Sequence, residues 1–575
     1  MAAKNSRLTV LVGVICVLAA LVVVGGVVAM VVMAGDDVEE GTVLELTLDG
    51  GMSQGPTVDI WAELSGVTPL NAFDVRRALR VAAQDEAIAG LLVQINDPAL
   101  GNVTSDELVE ELRRFGESKP VHVLVQTDMV GDGHYFLSTA GTRTWVTPEA
   151  MWVVNGYQVD VEFWKGTFEK LHIEPEWIMF KEYKSAGEPF SRDSMSEYMR
   201  EAMTDVIGDL QRHYIDQVAA RRGVERSVVR TAIDKGMFTG RYAKSIGLID
   251  DLGYLDEVQE SLRELAGTET YESMSLGKYL GTIEEDEGEH RVAVVFGEGQ
   301  IVATSGGGNP FATGGMIYGP DVAAAIREAH EDEAVKAIVF RVDSPGGSAV
   351  GSDLIWREIA RAREKGIPVV VSMANVAGSG GYWVSMGADA IVASPVTITG
   401  SIGVVFGKFN VKGFYEWIGA NIESIKFAEN SDVLSPAGPM TEVHREAIVG
   451  VIDELYTDFK RKVSEGRGIP LDGVERLAKG RIWSGADAQG HKLVDELGGI
   501  DVAIGLACDK ASIERDASYL VVYPEQQDFW ELLLSGEMEV SAPQSPQMDV
   551  QTLRSVVDEL TEPRVWALTP DFQVH

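Results

Sequence analysis

The chain has 575 residues, more than one hydrophobic core usually supports, so two or more domains are expected. Lysine and arginine number 49 against 88 acidic residues, a net charge of −39, and no lysine- or arginine-rich patch occurs. Nucleic acid is therefore not an expected partner, because phosphate binding needs a basic face. Cys16 and Cys508 are far apart and the first lies in an apolar run, so they build neither a disulfide framework nor a metal cluster. No metal and no cofactor are expected.

The first stretch of the chain is strongly apolar. Residues 8–34 carry no charged side chain, and as a helix they would measure about 40 Å against a hydrocarbon core of about 30 Å. Lys4 and Arg7 precede this stretch and acidic residues follow it, which predicts a cytoplasmic N-terminus at residues 1–7 and a body on the other side of the membrane. A cleaved signal peptide is the alternative, but its apolar core would be shorter and Val32-Met33-Ala34 is a poor cleavage site. The sequence therefore favours a single uncleaved transmembrane anchor.

The rest of the chain contains an internal repeat. The segment that begins Asp74-Val75-Arg76 recurs as Asp321-Val322-Ala323, 247 positions later, and further segments match at nearly the same offset. The repeating unit is about 230 residues long, far longer than a solenoid repeat, so it predicts two similar globular domains. We expect an N-terminal domain at 43–268, an acidic connection at 269–290, a C-terminal domain at 291–530 and a loosely ordered or late-packing tail at 536–575.

Each half alternates short β-rich apolar runs with amphipathic helical stretches. This alternation predicts an α/β fold whose strands are buried and largely parallel. Residues 190–223 and 440–468 are predicted to form long helices. We therefore expect two tandem α/β domains of the same type.

One glycine-rich turn stands out as a candidate for a nucleophile. Ser379 lies in Ala377-Gly378-Ser379-Gly380-Gly381, after the apolar run at 368–373 and before a predicted helix. Glycines on both sides let the backbone turn sharply and leave the hydroxyl uncrowded. The helix that follows points free N–H groups toward whatever the serine attacks. An ordinary strand-to-helix loop is the alternative interpretation of this local signal.

The two halves have diverged in a complementary way. Ser379 matches Asp132 in the first half, and Gly346-Gly347 matches Ala99-Leu100, so the first half lacks both the hydroxyl and the glycine pair suited to an oxyanion hole. Conversely, Lys184 of the first half matches a serine of the second. This pattern predicts a single site assembled from both halves.

Four separated segments of the chain match the motifs of one known family. They are Arg341-Val342-Asp343-Ser344-Pro345-Gly346-Gly347-Ser348, Ala377-Gly378-Ser379-Gly380-Gly381-Tyr382-Trp383, Thr397-Ile398-Thr399-Gly400-Ser401-Ile402-Gly403 and Tyr183-Lys184-Ser185-Ala186. These segments resemble those of signal peptide peptidase A, the long bacterial form also called protease IV. The resemblance covers about residues 43–530 and extends to the anchor. It implies a ClpP/crotonase-like fold of stacked ββα units and a membrane-anchored homo-oligomer, a tetramer, on the periplasmic side of the bacterial inner membrane.

The resemblance also implies the roles of individual residues. Ser379 would be the nucleophile, Lys184 the general base and Ser401 a hydroxyl that holds the lysine in place. The backbone N–H groups of Gly347 and Gly380 would form the oxyanion hole. One departure from the family pattern is an aspartate in place of asparagine before Ser-Pro-Gly-Gly, at residue 343, which we expect to affect hydrogen bonding at the strand end and to leave the chemistry intact.

A lysine activates a serine only when its amine is neutral. Lowering the pKa of Lys184 from about 10.4 to about 7.5 requires about 4 kcal/mol against the charged form, which burial must supply. We therefore expect Lys184 to be buried without a carboxylate partner. For Ser401 a simple turn with a self-bonding hydroxyl is the alternative. A histidine-based triad is disfavoured, because His134 is the only histidine in an equivalent turn and lies in the copy without Ser379.

Three classes of function are compatible with the sequence. The first is a serine endopeptidase that cuts apolar peptides such as remnant signal peptides, which suits a site tethered beside a membrane. The second is a crotonase-like acyl-CoA enzyme, which would use a carboxylate and needs no anchor. The third is a catalytically silent membrane scaffold. The sequence leaves open the oligomeric state, and whether the Ser/Lys pair forms within one chain or between neighbours.

Overall fold

The structure is a computed structural model that describes residues 38–56, 70–283, 288–305, 315–524, 564–568 and 573–574. The anchor predicted at residues 8–34 and most of the tail predicted at 536–575 lie outside these ranges. Among the residues that are described, no helix is both long enough and apolar enough to cross a membrane.

The strands of the first half are β1 (Thr42–Gly50), β2 (Ile88–Pro98), β3 (Val121–Val125), β4 (Met129–Gly131), β5 (Arg143–Val146), β6 (Met151–Val153), β7 (Val159–Asp160), β8 (Glu174–Phe180), β9 (Phe238–Thr239), β10 (Asp251–Leu252) and β11 (Ser273–Ser275). Six of them form a parallel sheet in the order β10-β5-β3-β2-β1-β11. The central strands β1, β2 and β3 are rich in valine and leucine and largely buried, as parallel strands covered by helices must be.

Ten helices of the first half are described, and the longer ones pack apolar faces on the sheet. They are α1 (Ala72–Gln84), α2 (Asn102–Gly116), α3 (Asp132–Ser138), α4 (Lys165–Lys170), α5 (Glu188–Ser191), α6 (Glu197–Arg222), α7 (Arg226–Lys235), α8 (Gly240–Ser245), α9 (Leu255–Ala266) and α10 (Leu276–Leu280).

The strands of the second half are β12 (His290–Glu298), β13 (Gln300–Val302), β14 (Met316–Tyr318), β15 (Val335–Ser344), β16 (Gly346–Ser348), β17 (Val369–Gly378), β18 (Ala390–Ala393), β19 (Ile398–Gly400), β20 (Val404–Asn410), β21 (Ile482–Ser484), β22 (Glu496–Leu497) and β23 (Ser518–Tyr523). They repeat the arrangement of the first half with the strand order β22-β18-β17-β15-β12-β23. Strand β19 also pairs with β17, and β21 pairs with β19.

The helices of the second half again cover the sheet and enclose a second apolar core. They are α11 (Gly319–Glu331), α12 (Ala349–Glu364), α13 (Gly380–Ser385), α14 (Lys412–Trp417), α15 (Glu442–Arg467), α16 (Leu471–Leu477), α17 (Gly485–Gly490) and α18 (Ile500–Ala511), followed by a 3-10 turn at Arg515–Ala517.

The predicted α/β content is confirmed, and the equivalent strands of the two halves occur in the same spatial order. The predicted start of the first long helix is wrong, because α6 begins at Glu197 and not at residue 190. The Ser196 hydroxyl accepts the Met199 N–H, and the Glu188 carboxylate accepts the Ser196 N–H and O–H. This cap starts a new helix after the short α5.

A third sheet joins the two halves and includes a strand from the C-terminal part of the chain. Its order is β14-β13-β16-β24-β20-β8, where β24 is Arg564–Leu568. Strand β8 comes from the first half but pairs antiparallel with β20 of the second, with Phe180 opposite Val404. A last strand, β25 (Gln573–Val574), pairs with β7 of the first half. Because β8 pairs with β20, the residues that follow β8, from Lys181 onward, lie against the second half.

Candidate active site

Ser379 occupies the sharp turn between strand β17 and helix α13. Its backbone has φ 55° and ψ −110°, a conformation that residues with a side chain rarely adopt, and its N–H donates to the Gly400 carbonyl at 2.8 Å. The hydroxyl is held at the end of the sheet, where the strand stops and the helix begins. The predicted strand, glycine turn and helix are therefore present, with Ser379 at the bend.

Lys184 reaches this turn from the first half of the chain. After β8, the N–H groups of Lys181 and Tyr183 both donate to the Lys479 carbonyl, at 3.2 and 3.0 Å. Gly480 packs directly on the lysine, since a Cβ at that position would lie 2.5 Å from the Lys184 Cα. Backbone contacts with the second half thus fix the course of the segment that carries the amine.

The Lys184 amine has three polar neighbours. Its Nζ lies 2.6 Å from Ser379 Oγ, 3.0 Å from the Ser401 carbonyl oxygen and 3.1 Å from Ser401 Oγ. A neutral amine has two N–H donors and one lone pair. It can therefore donate to the two Ser401 oxygens while it accepts the Ser379 hydroxyl proton, which is the arrangement that a general base needs.

The surroundings of the amine favour its neutral form. Lys184 is 1% exposed, and Ser379 and Ser401 have no exposed surface. Burial lowers the pKa of Lys184 well below its usual value, because the charged ammonium loses its hydration there. The contacts described for its Nζ are to hydroxyl and carbonyl oxygens, without a carboxylate.

Ser401 is positioned by strands on both sides of its turn. It follows β19 and has φ 50°, and its N–H donates to the Arg481 carbonyl at 2.7 Å. Both oxygens of Ser401 face Lys184 Nζ, so its hydroxyl does more than close its own turn. The structure brings together Ser379, Lys184 and Ser401, all three predicted from the sequence.

Gly347 and Gly380 belong to two backbone segments that approach each other closely beside Ser379. Gly347 lies in β16 with φ 148°, and a Cβ there would be 2.1 Å from the Ile301 carbonyl oxygen. A Cβ on Gly380 would be 3.0 Å from the Gly347 nitrogen. A side chain at Gly347 would overlap the Ile301 backbone, and one at Gly380 would press on the Gly347 nitrogen, so glycine allows the close approach of these two backbone segments next to Ser379.

The aspartate that departs from the family pattern binds the end of a neighbouring strand. Asp343 accepts the Val376 N–H at 2.9 Å and an Asn375 amide hydrogen at 2.7 Å, and burial raises its pKa. The Asn375 side-chain oxygen in turn accepts the Val103 N–H at the start of α2. Asn375 and Val376 lie in β17, four and three residues before Ser379, so this network ties the strand that leads to Ser379 to the first half.

A buried arginine also joins the halves, and sequence reasoning missed it. Arg341 in β15 donates to both carboxylate oxygens of Glu107, at 2.9 and 2.8 Å, and to Gln54 Oε1 at 2.8 and 3.0 Å. The signal in the sequence was an arginine inside the apolar run Val339-Phe340-Arg341-Val342. A buried charge needs a partner, but the sequence does not say where that partner lies.

In the turn of the first half that is equivalent to Ser379, the side chains of Asp132 and His134 are hydrogen-bonded to the backbone. The Asp132 carboxylate accepts the N–H groups of Asn155 and Gly156. The His134 ring contacts the Asn96 carbonyl of β2 at 3.1 Å and accepts the Gly131 N–H of its own turn at 3.4 Å. Across the described residues, no cluster of three or more histidine, cysteine or acidic side chains could hold a metal ion.

Comparison with known proteins identifies the family of both halves. The model of peptidase family S49 matches residues 113–269 and 361–514. The chain is 32% identical over 545 residues to the chloroplastic serine protease SPPA of Arabidopsis thaliana, which covers 91% of this chain and 76% of that protein. It is 32% identical over 458 residues to Protease 4 of Salmonella typhi, covering 77% and 72%.

Among solved structures, a mutant of the membrane-bound stomatin-specific protease 1510-N is similar to part of the chain. The TM-score is 0.26 at 16% sequence identity, and the alignment covers 41% of this chain and 99% of that one.

Proposed function

The chain belongs to peptidase family S49 and is a serine protease, and on that premise we propose that its catalytic centre is a Ser/Lys dyad. Ser379 is the nucleophile and Lys184 the general base. Membership of the family also supports the ClpP/crotonase-like fold. The observation that carries the proposal is the 2.6 Å separation of Ser379 Oγ and Lys184 Nζ, with the amine buried so that its pKa is lowered.

The geometry supports a two-step hydrolysis. Lys184 Nζ accepts the hydroxyl proton as Ser379 Oγ attacks the carbonyl carbon, and the resulting oxyanion accepts the N–H groups of Gly347 and Gly380. The lysine then gives its proton to the leaving amine as the C–N bond breaks. Water hydrolyses the acyl-serine by the reverse sequence. Ser401 keeps the amine oriented through both steps, because its two oxygens take the N–H donors.

We further propose that the protease is anchored by residues 8–34 in the bacterial inner membrane, with its body on the extracytoplasmic side. The uncharged stretch and the preceding Lys4 and Arg7 support this orientation. Its substrates would be apolar peptides such as remnant signal peptides, and the chain would act as a homo-oligomer, a tetramer as in the family that it resembles. No cofactor is part of the mechanism.

The other two functions considered have less support. A crotonase-like acyl-CoA enzyme would place a carboxylate at the reacting atoms, whereas the group that contacts the Ser379 hydroxyl is an amine. A silent scaffold would have no need for a buried lysine, which is costly to maintain.

The test compares Ser379→Ala with Ser385→Ala in the full chain on a fluorogenic apolar peptide. Ser385 is an equally buried hydroxyl that donates to the Gly381 carbonyl at 2.7 Å and has no described contact with Lys184. Ser379→Ala should lower kcat by at least about 10³-fold and Ser385→Ala by less than about threefold. Equal cleavage by wild type and Ser379→Ala would overturn the proposed nucleophile.

A further inference from the structure

The segment that carries the base lies against residues 479–481, here called the 479–481 strip, which directly precede strand β21. The Lys479 carbonyl accepts the Tyr183 N–H at 3.0 Å. Gly480 packs on the backbone of Lys184, so closely that a Cβ at residue 480 would lie 2.5 Å from the lysine Cα. The strip therefore fixes the backbone from which the amine extends.

The same strip also contacts the turn of Ser401. The Arg481 carbonyl accepts the Ser401 N–H at 2.7 Å, and the Ile402 carbonyl accepts the Gly480 N–H at 2.9 Å. Neighbouring residues of one strip thus hold the base on the one hand and the hydroxyl that orients it on the other. A displacement of the strip would change the position of Ser401 relative to the Lys184 amine.

The Arg481 side chain attaches the strip to the first half. Its Nη1 donates to Glu201 Oε1 and its Nη2 donates to Asp205 Oδ2, both at 2.6 Å. The two carboxylates are four residues apart in α6, so they lie on one face of that helix. The guanidinium carbon is 4.9 Å from the centroid of the Tyr183 ring and 4.5 Å from that of Trp483, within the range of cation–π attraction. The guanidinium therefore connects the strip, α6 and the residue before the base.

Arg481 is shielded from water although its acidic partners are not. Its side chain is 12% exposed, whereas those of Glu201 and Asp205 are 49% and 50% exposed. The planar guanidinium presents its N–H donors in a fixed fork, so two carboxylates and two rings leave it little freedom to rotate. Such a group suits the role of a rigid brace.

The first half has no arginine at the equivalent position. Strand β9 is the equivalent of β21, and the residue before it is Met237, whose side chain is 58% exposed. That half carries Asp132 where the second half carries Ser379. The arginine therefore occurs in the copy that contains the nucleophile, where there is an amine to be positioned.

We propose that Arg481 is a positioning residue of the protease: its ion pairs with α6 hold the 479–481 strip, and the strip sets the placement of Lys184 relative to Ser401. This inference rests on the proposed function, because it concerns the base of that mechanism. The described contacts of the Arg481 side chain include neither Ser379 nor the lysine amine, so it acts through the strip. The first half supplies the base and, through α6, part of the support that positions it.

Loss of this brace should change the reaction in two ways. A catalytic group that is misplaced by about 1 Å can cost about 10²-fold in rate, so we expect kcat to fall about 10- to 100-fold. A looser strip also admits water to Lys184, which raises its pKa toward the usual value and moves the acid limb of the pH profile up by about half a unit or more. This direction is opposite to the shift that loss of the Ser401 hydroxyl should cause.

The test compares Arg481→Met with Arg221→Met in the full chain. Arg221 is a matched control, because its side chain is 4% exposed and it pairs with Asp106 and Glu110, which are also four residues apart in one helix, α2. Both ends of the control contact belong to the first half, and Arg221 follows Asp205 by 16 residues in α6, about 24 Å along the helix. Both variants should lose folding stability, but Arg481→Met alone should lower kcat and shift the acid limb.

The readouts are kcat, KM and the pH profile of kcat/KM on a fluorogenic apolar peptide, with circular dichroism to check folding. For Arg481→Met we expect KM to stay within about twofold of the wild-type value, because a positioning defect acts on the chemical step. Equal kcat and equal acid limbs in the Arg481→Met and Arg221→Met proteins would overturn the inference.

A second variant tests the same contact from α6 and does not depend on the folding of Arg481→Met. It carries Glu201→Ala and Asp205→Ala, at half-exposed helix positions where alanine is well tolerated. This chain should show a similar fall in kcat and the same shift of the acid limb. When it is combined with Arg481→Met, the losses should not multiply, because both changes remove one connection. Losses that multiply, or wild-type kcat in the double-alanine chain, would overturn the role of α6.

Ser379→Ala separates this inference from the proposed function. If Ser379→Ala cleaves the peptide as fast as the wild type, the proposed mechanism fails and the inference fails with it. If Ser379→Ala is inactive while Arg481→Met and the double-alanine chain keep wild-type kcat and an unshifted acid limb, the Ser/Lys mechanism stands and the positioning role of Arg481 is wrong.

Discussion

Lys184 Nζ lies 2.6 Å from Ser379 Oγ although 195 positions separate the two residues in the chain. The lysine comes from the first half and the serine from the second, and both are buried. The proposed dyad therefore depends on the contact between the halves, because a small displacement of one half would separate the base from the nucleophile.

Lys184 should make folding stability depend on pH in a defined direction. Its pKa is lowered in the folded protein, so between that lowered value and about 10.5 the unfolded chain binds one more proton than the folded chain. The free energy of unfolding should rise with pH in this window by about 1.4 kcal/mol per pH unit. Lys184→Met should lack this contribution. Urea unfolding of both proteins at several pH values measures the difference, and parallel curves would contradict a buried neutral lysine.

Activity should follow the same titration. The base works only in its neutral form, so kcat/KM should increase as pH rises through the lowered pKa of Lys184, and its acid limb should lie well below the usual range of a lysine. A profile of kcat/KM against pH measures this limb. An acid limb near the ordinary lysine value would show that the amine is not desolvated when it acts.

Ser401→Ala should weaken the positioning of the amine without removing the base. The variant loses one acceptor of Lys184 Nζ and keeps the backbone carbonyl. We expect kcat to fall about 10- to 100-fold. Because a hydroxyl acceptor stabilises the ammonium more than the amine, its loss should also move the acid limb to lower pH. Ser385→Ala is the control, and an unshifted profile for Ser401→Ala would assign Ser401 a structural role only.

Gly347→Ala should disrupt the oxyanion hole. The added Cβ would lie 2.1 Å from the Ile301 carbonyl oxygen at a φ of 148°, so strand β16 must shift and carry its N–H away. Loss of one donor should lower kcat by about 10²- to 10³-fold. Gly450→Ala is the control, since a Cβ there meets nothing within 4 Å and the site is helical. Circular dichroism checks that both variants fold, and a folded Gly347→Ala protein with full activity would exclude this donor.

Arg341 should stabilise the contact between the halves. Arg341→Met would leave the Glu107 carboxylate without its bidentate partner, and breaking such a pair costs about 3 kcal/mol at a site that keeps some solvent access. kcat/KM should fall as well, because the halves that carry the dyad lose a link. Arg357→Met, which removes an exposed arginine that pairs with Glu364, should cost less than about 1 kcal/mol. Thermal unfolding with a parallel activity assay measures both effects, and equal losses in the two variants would contradict the assignment.

Local patterns in the chain were sufficient to predict several features. The apolar run, the glycines and the helix that follows them predict the bend at Ser379, because turn conformation depends on the residues within it. The repeat predicts two similar halves, and the equivalent strands do occur in the same order. The start of α6 was missed because the cap formed by Glu188 and Ser196 interrupts a stretch whose overall pattern is helical.

Contacts between residues that are distant in the chain could not be predicted from local patterns. Nothing in the residues of β8 indicates that it pairs with β20 of the other half, and nothing in residues 564–568 indicates a place between β16 and β20. Strand pairing depends on which edges meet in space, and many apolar segments are compatible with a given edge. The Arg341–Glu107 pair was missed for a similar reason, because the sequence does not show which acidic residue lies next to a buried arginine.

By itself, the sequence determined which residue types and turns are present: a serine in a sharp glycine-rich turn, a lysine after an apolar strand, and a pair of glycines suited to an oxyanion hole. Only the tertiary structure decided that the amine contacts Ser379 and Ser401 and that Gly480 packs on the backbone of Lys184. The pKa of a lysine is a property of its surroundings, because hydration of the ammonium is lost only when residues from distant parts of the chain close around it.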